Sequence, residues 1–216
     1  MGEITKQDAF GKAIIDTVAN NKIQTVLEIG SWDGTGSTQC FIEGMQNFEN
    51  KRLICLEVFT DRFKQLCNNT SNYNWIKCYN QSSISYNNML YKDFNKIWES
   101  PFNFIPKQNI NGDNKPAVNQ WFIEDIKTIN NYKTGYIEDH LNDIYDAVLI
   151  DGSEFTGYSE FILLKDKVNF FILDDSYSAF KTSQVVDELS KDKDWELIAN
   201  NKHTRNGWAI FKRKLI

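Results

Sequence analysis

Short apolar runs alternate with amphipathic segments along most of the chain. Residues 6–20 place Phe10, Ile14 and Val18 near a 3.6-residue spacing, which predicts an amphipathic helix. The runs that predict strands end, in all but one case, in glycine or an acidic residue, and they span residues 25–30, 52–57, 75–79, 145–151 and 168–174. Runs that are apolar on both faces belong in a parallel sheet covered by helices on either side.

The last two strand signals follow each other closely. Residues 195–199 and 208–212 are joined by a loop that ends in Asn206-Gly207, which predicts an antiparallel hairpin. Further helices are expected at residues 39–45 and 61–68. The pattern therefore predicts an α/β fold with three layers, α/β/α, in which a doubly wound sheet is mostly parallel and ends in a C-terminal antiparallel hairpin.

The segment between the third and fourth strands is too long for an ordinary crossover. It covers residues 86–142, and we interpret it as an insertion, a candidate lid or acceptor-binding segment, within a single domain of residues 1–216. Its residues 101–116 contain all 3 prolines, which predicts a loop between helices at residues 88–98 and 119–129. Most of its aromatic side chains are expected to belong to the core.

Composition changes this picture mainly by exclusion. A hydrophobic fraction of 41% with 14% aromatic residues indicates a packed globule rather than a disordered chain. The net charge of -5 removes the attraction on which nucleic-acid-binding proteins rely, so no nucleic-acid partner is expected. No apolar run approaches the roughly 18 residues that span a bilayer, and the start lacks the pattern of a signal peptide, which predicts a cytoplasmic protein without a membrane span.

The glycine-rich stretch after the first strand is the strongest candidate for a ligand site. In the sequence VLEIGSWDGTGST, Glu28 comes two residues before Gly30, and Gly34, Gly36 and Ser37 lead into the next helix. Ligands of open α/β sheets lie beyond such strand ends. An acid before the glycines suits a ligand with a cationic amino-acid end rather than a phosphate. A glycine-rich turn without a ligand is the alternative interpretation.

A second acid, Glu57, ends the second strand. Its distance along the chain from the glycines is about that at which an acidic side chain binds ribose hydroxyls. The mostly apolar residues before it make a solvated surface acid the weaker interpretation. Together the two strand ends predict a nucleoside ligand that carries no phosphate.

Three aspartates follow the later strands: Asp151 in the sequence DGSEF, and Asp174 and Asp175 in the sequence LDDSY. Carboxylates at adjacent strand ends repel one another and raise one another's pKa unless a cation or hydrogen-bond donors neutralise them. Carboxylate oxygens suit Mg²⁺, which keeps waters that a substrate can replace. A magnesium site is therefore predicted, and helix capping or bonding to backbone amides is the alternative role.

Over residues 25–212 the chain resembles the class I S-adenosylmethionine (SAM)-dependent methyltransferases, which implies a Rossmann-like fold and SAM as cofactor. The stretch VLEIGSWDGTGST is similar to the first motif of that family, and LEVF, with Glu57, to its ribose-binding strand end. Gln81 and Ser82 lie where the family places groups near adenine. The cofactor-binding residues expected on this basis are Glu28, Gly30, Ser31, Gly34, Gly36, Ser37, Glu57, Gln81, Ser82 and Asp151.

The later motifs, DGSEF, LDD and RNGWAIF, are similar to those of sugar O-methyltransferases of the macrolide-tailoring type and of methyltransferases from bacterial surface-glycan clusters. The resemblance implies that Asp151, Asp174 and Asp175 hold a magnesium ion that binds vicinal sugar hydroxyls. It also implies O-methylation of a sugar hydroxyl in polysaccharide or glycan biosynthesis, on a small-molecule or glycan acceptor. Ser153 and Glu154 depart from the Asp or His often found after DG. A homo-oligomer is left open.

An alcohol is a poor nucleophile at neutral pH, so a base is expected beside the acceptor. The candidates are Asp151, Asp174, Glu154 and His203, and nothing in the sequence chooses among them.

Two other functions remain open. The first is a methyltransferase-like domain that acts as an inactive binding or scaffold subunit, although the acids at several strand ends favour activity. The second is an NAD(P)-dependent short-chain dehydrogenase, because Tyr177 and Lys181 have the YxxxK spacing of that family. Tyr177 follows a strand end by three residues, however, instead of lying in a long helix.

Overall fold

Nine strands and eight α-helices are present in the computed structural model, which describes residues 4–102, 108–109, 112–177 and 180–214. The strands are β1 (Thr25–Ile29), β2 (Arg52–Leu56), β3 (Ile76–Tyr79), β4 (Gln108–Asn109), β5 (Gly112–Asp113), β6 (Tyr145–Ile150), β7 (Val168–Asp174), β8 (Trp195–Asn201) and β9 (Trp208–Arg213). The helices are α1 (Ala9–Asn21), α2 (Ser37–Met45), α3 (Thr60–Thr70), α4 (Phe94–Trp98), α5 (Lys115–Asn130), α6 (Tyr136–Asp139), α7 (Gly157–Leu164) and α8 (Phe180–Lys191).

Seven of these strands form one mixed sheet in the order β3-β2-β1-β6-β7-β9-β8. Neighbouring strands from β3 to β7 are parallel, whereas β9 lies antiparallel to both β7 and β8. The parallel strands are joined through helices, as parallel pairing requires. The predicted fold is confirmed: the sheet is mostly parallel and ends in an antiparallel C-terminal hairpin.

Two apolar cores lie on opposite faces of the sheet, because successive strand residues point to opposite sides. Residues of α1, α2 and α3 pack with Val26, Leu53 and Leu149 in one core. Residues of α5, α7 and α8 pack with Leu27 and Phe171 in the other. Coverage of both faces explains why the parallel strands are apolar at nearly every position, and the predicted three-layer arrangement is confirmed.

The segment between β3 and β6 contains α4, α5 and α6 and a two-residue pairing of β4 with β5. Helix α5 has Pro116 in its first turn, where backbone N–H groups have no partner within the helix, so the missing N–H of proline costs no hydrogen bond. The helix buries Val118, Phe122 and Ile129. Of the predicted loop at residues 101–116, residues 103–107 and 110–111 lie outside the described part of the chain, and α5 begins within the predicted loop.

Aromatic side chains of this segment mostly pack into the core, as the sequence predicts. The rings of Phe94 and Phe122 lie 5.9 Å apart, and the ring of Phe122 lies 5.3 Å from that of Phe155. Trp121, on the outer side of α5, is half exposed. The segment is therefore anchored on the sheet. Within the described ranges no helix has both the length and the apolar character that a membrane crossing requires.

Phe171 is a sensitive test of this core, because its side chain is fully buried and its ring lies 5.1 Å from that of Phe161 and 5.3 Å from that of Trp195. We expect Phe171→Ala to lower the free energy of unfolding by about 3–5 kcal/mol, because the substitution leaves a cavity. Urea unfolding followed by circular dichroism measures the change. Ile144→Ala is the control, since Ile144 is 72% exposed and its truncation should cost less than about 0.5 kcal/mol. Equal losses in both variants would contradict this placement of the core.

Candidate active site

A cavity of about 520 Å³ opens over the carboxyl ends of β1, β2, β6 and β7. The chain adds β2 and β3 on one side of β1 and then crosses to β6 on the other side, so the strand order reverses between β1 and β6. Ligands of doubly wound sheets bind at such a reversal. The glycine loop, Glu57 and the aspartate motifs all contribute to the cavity wall.

The glycine loop between β1 and α2 requires glycine at its first position. Gly30 has a φ of +89°, and a β-carbon there would lie 2.3 Å from the carbonyl oxygen of Asp151. The amides of Gly30 and Ser31 both donate to the carbonyl oxygen of Leu56 at the end of β2. The loop is thus held against both neighbouring strand ends. Its residues on the cavity wall include Gly30, Ser31, Gly36 and Ser37.

Glu28 is absent from the described residues that line the cavity, in contrast to its predicted contact with the cofactor. The side chain is fully buried, and its carboxylate accepts hydrogen bonds from the hydroxyls of Ser31 (2.7 Å), Ser37 (2.7 Å) and Thr38 (2.8 Å). Burial raises the pKa of Glu28, and these hydroxyl donors oppose the rise. Glu28 therefore positions the loop and the start of α2. The hydroxyl residues that follow it in the motif were the sequence signal for this role.

Glu57 lies beside the glycine loop, because β1 and β2 pair in register with Ile29 opposite Leu56. Its side chain lines the cavity and is 5% exposed, and Oε1 accepts a hydrogen bond from the amide of Phe59 (2.8 Å). Burial raises the pKa of Glu57, while backbone donors and the nearby Arg62 oppose the rise. A buried carboxylate at the cavity wall can accept hydrogen bonds from a pair of hydroxyls.

A stack of one cationic and two aromatic side chains lies next to Glu57, and the sequence does not predict it. The guanidinium of Arg62 lies 3.2 Å from the ring centre of Trp32 and 4.6 Å from that of Phe59. All three side chains line the cavity. Trp32 lies in the glycine loop and Arg62 in α3, so no local sequence pattern connects them.

Gln81 and Ser82 follow β3 and also line the cavity. The amide of Gln81 donates to Asp139 Oδ2 (2.8 Å), and the hydroxyl of Ser82 donates to the carbonyl oxygen of Ile84 (2.7 Å). Both side chains are thus held in place by other groups of the protein.

Asp151, Asp174 and Asp175 meet at the part of the cavity wall that follows β6 and β7. Strands β6 and β7 are parallel with Ile150 opposite Leu173, so they end side by side. One carboxylate oxygen of each aspartate lies within 4.8 Å of the others, a spacing at which they could hold a metal ion. The structure therefore brings together the three predicted metal ligands.

Two cationic side chains pair with these aspartates. The ammonium group of Lys181, in the first turn of α8, lies 3.0 Å from Asp151 Oδ1 and 2.7 Å from Asp175 Oδ2. The guanidinium of Arg205 donates to Asp174 Oδ1 at 2.8 Å. Burial alone would lower the pKa of Lys181, but the surrounding carboxylates raise it well above the usual value. Lys181 is therefore charged in the folded protein.

The sequence contains a signal for Lys181 besides the YxxxK spacing. Lys181, Val185 and Leu189 follow one another at a spacing of four residues along α8. Val185 and Leu189 are buried in the core, so the lysine lies on the apolar face of the helix. A lysine on an apolar stripe is unusual unless a partner neutralises it, and that pattern could have identified this residue.

Around the aspartates, the described cavity wall contains more acidic than basic side chains. Asp151, Glu154, Asp174 and Asp175 share two cations, Lys181 and one arginine. Burial raises the pKa of Glu154 to about 7, with Lys181, 3.8 Å away, opposing the rise. Burial followed by repulsion from the other aspartates raises the pKa of Asp174 to about 8. The surplus carboxyl groups therefore retain protons near neutral pH.

The oxygen atoms of the aspartates are suitable ligands for Mg²⁺, but the cationic side chains that pair with them are not compatible with a bound Mg²⁺. Mg²⁺ binds oxygen ligands at about 2.0–2.1 Å. Lys181 already lies within hydrogen-bond distance of two of the three carboxylates, and Arg205 of the third. A divalent ion among the same oxygens would repel the ammonium group beside it. The described arrangement therefore cannot hold Mg²⁺ while Lys181 stays in its present position.

Three other sequence candidates lie away from the cavity wall in the described structure. Gly34 turns the loop with a φ of +78°, close to the side chain of Leu66. His203 is exposed between β8 and β9, where its backbone amide donates to Asn201 Oδ1, so it is poorly placed to act as a base. Tyr177 precedes α8 and does not share a helix with Lys181, which removes the geometry of the dehydrogenase motif.

The burial of Glu154 predicts a pH dependence of stability. Its pKa is about 7 in the folded protein against an ordinary value of 4.5, so between these pH values the native state keeps a proton that the unfolded chain releases. Stability should therefore fall as the pH rises through this window, and the loss should persist above pH 7. Glu154→Gln should be more stable than the wild type above pH 7 by roughly 1–3 kcal/mol, and about equally stable near pH 4.5.

Urea unfolding at a series of pH values measures this difference. Asp174 contributes a dependence of the same sign that is present in both proteins, so the comparison isolates Glu154. Glu196→Gln is the control, because Glu196 is exposed on β8 and its substitution should leave the profile unchanged. Parallel profiles for the wild type and Glu154→Gln would contradict the assignment.

Comparison with known proteins gives the fold of the chain but no family membership. No family model matches the sequence, and no curated protein is significantly similar to it. The structure is similar to that of a Staphylococcus aureus protein provisionally assigned as a caffeoyl-CoA O-methyltransferase, with a TM-score of 0.58 and 13% identity over 96% of this chain and 84% of the other.

Two further similar structures contain S-adenosylhomocysteine (SAH). They are an O-methyltransferase from Bacillus cereus (TM-score 0.54, 13% identity, 94% of this chain and 80% of the other) and the methyltransferase PaMTH1 from Podospora anserina (TM-score 0.54, 12% identity, 94% of this chain and 77% of the other). At such low identities the likeness shows the fold alone. The chain thus has the Rossmann-like fold found in these methyltransferases.

Proposed function

We propose that this protein transfers a methyl group from SAM to a hydroxyl group of a sugar-containing acceptor. The observation that carries the proposal is one cavity whose wall contains both groups of residues. The glycine loop and Glu57 form the first half-site, and the carboxylates with Lys181 form the second. Methyl transfer requires such a cavity, because the methyl donor and the nucleophile have to be held in line and close together.

The first half-site supports SAM as the cofactor. Gly30 leaves room for a ligand to approach the backbone, and the buried Glu57 offers acceptors for ribose hydroxyls. We assign Gln81 and Ser82, beyond the next strand, to the adenine side. The similar structures from Bacillus cereus and Podospora anserina contain SAH, which is the product that SAM leaves after methyl transfer.

The second half-site favours an acceptor rich in hydroxyl groups. Its walls include Asp125, Ser153, Glu154 and Asn206 beside the aspartates, and side chains of these types can all take part in hydrogen bonds with a ligand. A flat apolar acceptor would leave buried polar groups unpaired at a cost of about 1–3 kcal/mol each. A sugar carries hydroxyls on adjacent carbons and can satisfy several groups at once. The resemblance of the DGSEF and LDD motifs supports a role in polysaccharide or glycan biosynthesis.

We assign the role of general base to Glu154. A pKa of about 7 leaves a useful fraction of the carboxylate free at neutral pH and still basic enough to take a proton. Asp174, whose pKa is raised to about 8, is mostly protonated at neutral pH, and Asp151 is held in an ion pair with Lys181 at 3.0 Å, so both are less available than Glu154. His203 lies outside the cavity wall of the described structure.

In the proposed reaction the acceptor oxygen attacks the methyl carbon of SAM. The carbon–sulfur bond breaks as the oxygen–carbon bond forms, and SAH leaves with the electron pair on sulfur. The hydroxyl proton passes to Glu154 and later to water. Because the charge of the sulfonium disperses during the step, the protein contributes alignment and proton removal.

Magnesium assistance is a second candidate for the acceptor half-site. It is favoured by the three aspartate oxygens that lie within 4.8 Å of one another. Lys181 and Arg205 would have to withdraw from those oxygens before a divalent ion could bind. The reaction proposed above therefore uses no metal.

Binding of SAH tests the cofactor half of the proposal. Isothermal titration calorimetry should show binding to the wild type, and Glu57→Ala should weaken it about 10–100-fold, because charge-assisted hydrogen bonds contribute roughly 1.5–3 kcal/mol. Asp61→Ala is the matched control, since this neighbouring acid has a side chain that is 91% exposed and should leave the affinity unchanged. Absence of binding heat for the wild type would contradict SAM dependence.

Transfer of labelled methyl groups tests the acceptor half. The protein is incubated with methyl-labelled SAM and a panel of monosaccharides, methyl glycosides and nucleoside-diphosphate sugars, and products are detected by mass spectrometry. Glu154→Gln should lower kcat about 10²–10⁴-fold with SAH affinity retained, whereas Glu196→Gln should match the wild type. Binding of SAH without transfer of label to any hydroxyl compound would favour the scaffold alternative. Full activity of Glu154→Gln would show that Glu154 is not the general base.

A further inference from the structure

A buried ammonium group lies among the carboxylates of the acceptor half-site. Lys181 is the second residue of α8, and its side chain is only 7% exposed. Its Nζ atom lies 2.7 Å from Asp175 Oδ2, 3.0 Å from Asp151 Oδ1 and 3.8 Å from Glu154 Oε1. Lys181 also lines the cavity, so a bound acceptor meets this charge together with the carboxylates.

The packing of α8 determines where this lysine points. Gly157 at the start of α7 touches the backbone of Lys181, and a β-carbon there would lie 2.2 Å from the Lys181 carbonyl oxygen. Val185 and Leu189, one and two turns later on the same face, are buried. The lysine therefore projects from an apolar helix face into the cavity. Burial of a charge is costly unless it is paired, and here the aspartates pair it.

Among the described residues, one donor of the ammonium group has no partner at hydrogen-bond distance and can serve a ligand. An ammonium group has three donors and no acceptor. Two of them face Asp151 and Asp175 at hydrogen-bond distances. Glu154, at 3.8 Å, lies beyond that distance, and an acceptor oxygen bound between the two groups could contact both.

We propose that Lys181 occupies the position that the aspartate motifs predict for magnesium and supplies the positive charge there, so that methyl transfer in this protein needs no divalent metal. This inference rests on the proposed function. Lys181 donates a hydrogen bond to the acceptor oxygen, which directs the oxygen towards the methyl carbon and stabilises its developing negative charge. The hydroxyl proton passes to Glu154, the methyl group moves from sulfur to oxygen, and Lys181 keeps all of its protons.

The first experiment tests whether the wild-type protein binds a divalent metal ion. Mn²⁺ is the probe, because it accepts carboxylate ligands as Mg²⁺ does and its electron paramagnetic resonance signal weakens on binding. With SAH-loaded wild type we expect the signal of free Mn²⁺ to persist and the melting temperature to stay unchanged on addition of Mn²⁺ or Mg²⁺. Loss of one equivalent of the signal, reversed by Asp175→Asn, would overturn the proposal.

The second experiment removes the ammonium group and asks whether a metal replaces it. Lys181→Met keeps much of the side-chain volume and leaves the aspartates without their shared partner. We expect this variant to bind one Mn²⁺ and to gain thermal stability from it, whereas Lys181→Arg, which retains the charge, should exclude the ion. Lys165→Met is the matched control, because Lys165 also bridges two carboxylates, Glu188 (2.9 Å) and Asp192 (3.1 Å), but away from the cavity.

Folding of the variants does not weaken this test. If Lys181→Met folds only when Mn²⁺ is present, that requirement is the expected replacement of one cation by another. If Lys181→Met or the second variant, Lys181→Gln, folds and binds no Mn²⁺, Lys181 does not occupy the cation position and the proposal fails. Mn²⁺ binding by Lys165→Met would also overturn it, since the gain would then not be specific to the cavity.

Turnover and cofactor binding separate this inference from the proposed function. With an acceptor identified in the sugar panel, wild-type turnover should change less than about twofold in EDTA, and Lys181→Met should lose about 100-fold or more in kcat with SAH affinity retained. Activity that EDTA abolishes and Mg²⁺ restores would refute metal independence but leave methyl transfer intact. Failure of the wild type to bind SAH would instead refute the proposed function, while the Mn²⁺ titration still shows whether the aspartates hold a metal.

Discussion

The site depends on the neutralisation of several carboxylates that the fold brings to one edge of the sheet. Parallel pairing of β6 and β7 places Asp151 and Asp174 side by side, and Asp175 and Glu154 lie next to them. Such a group of acids destabilises a folded protein unless cations or bound protons compensate. Lys181 and one arginine supply part of the compensation, and raised pKa values of two carboxyl groups supply the rest.

The same balance makes the site chemically useful. The pKa of Glu154 is about 7, so part of this group is ionised at neutral pH, and the carboxylate is basic enough to accept a proton from a hydroxyl. A buried ammonium group beside it is oriented before any substrate arrives, so little reorganisation is needed during the reaction. Glu28, which is absent from the described cavity wall, has a structural role, because hydroxyls of the glycine loop and of α2 satisfy its carboxylate.

The fold and much of the cavity wall could be predicted because their signals are local. Apolar runs show which segments form central strands, and a residue directly after such a run must lie at the carboxyl edge of the sheet, as Gly30, Glu57 and Asp151 do. Glu28 differs from these residues in its place along the chain. It is within the strand rather than after it, so the side-chain alternation along β1 turns it away from the cavity.

By itself the sequence determined the layers, the strand polarity and the set of acids at the sheet edge, because strand periodicity and strand ends are properties of neighbouring residues. Only the tertiary structure decided which charges meet. Lys181 comes from a helix and Arg205 from a hairpin loop. Lys181 reaches Asp151, and Arg205 reaches Asp174, across some thirty residues of chain, although Lys181 also pairs with the nearby Asp175. Such pairings depend on how α8 and the β8–β9 hairpin pack on the sheet, and side-chain electrostatics act over distances in space that local sequence spacing does not encode.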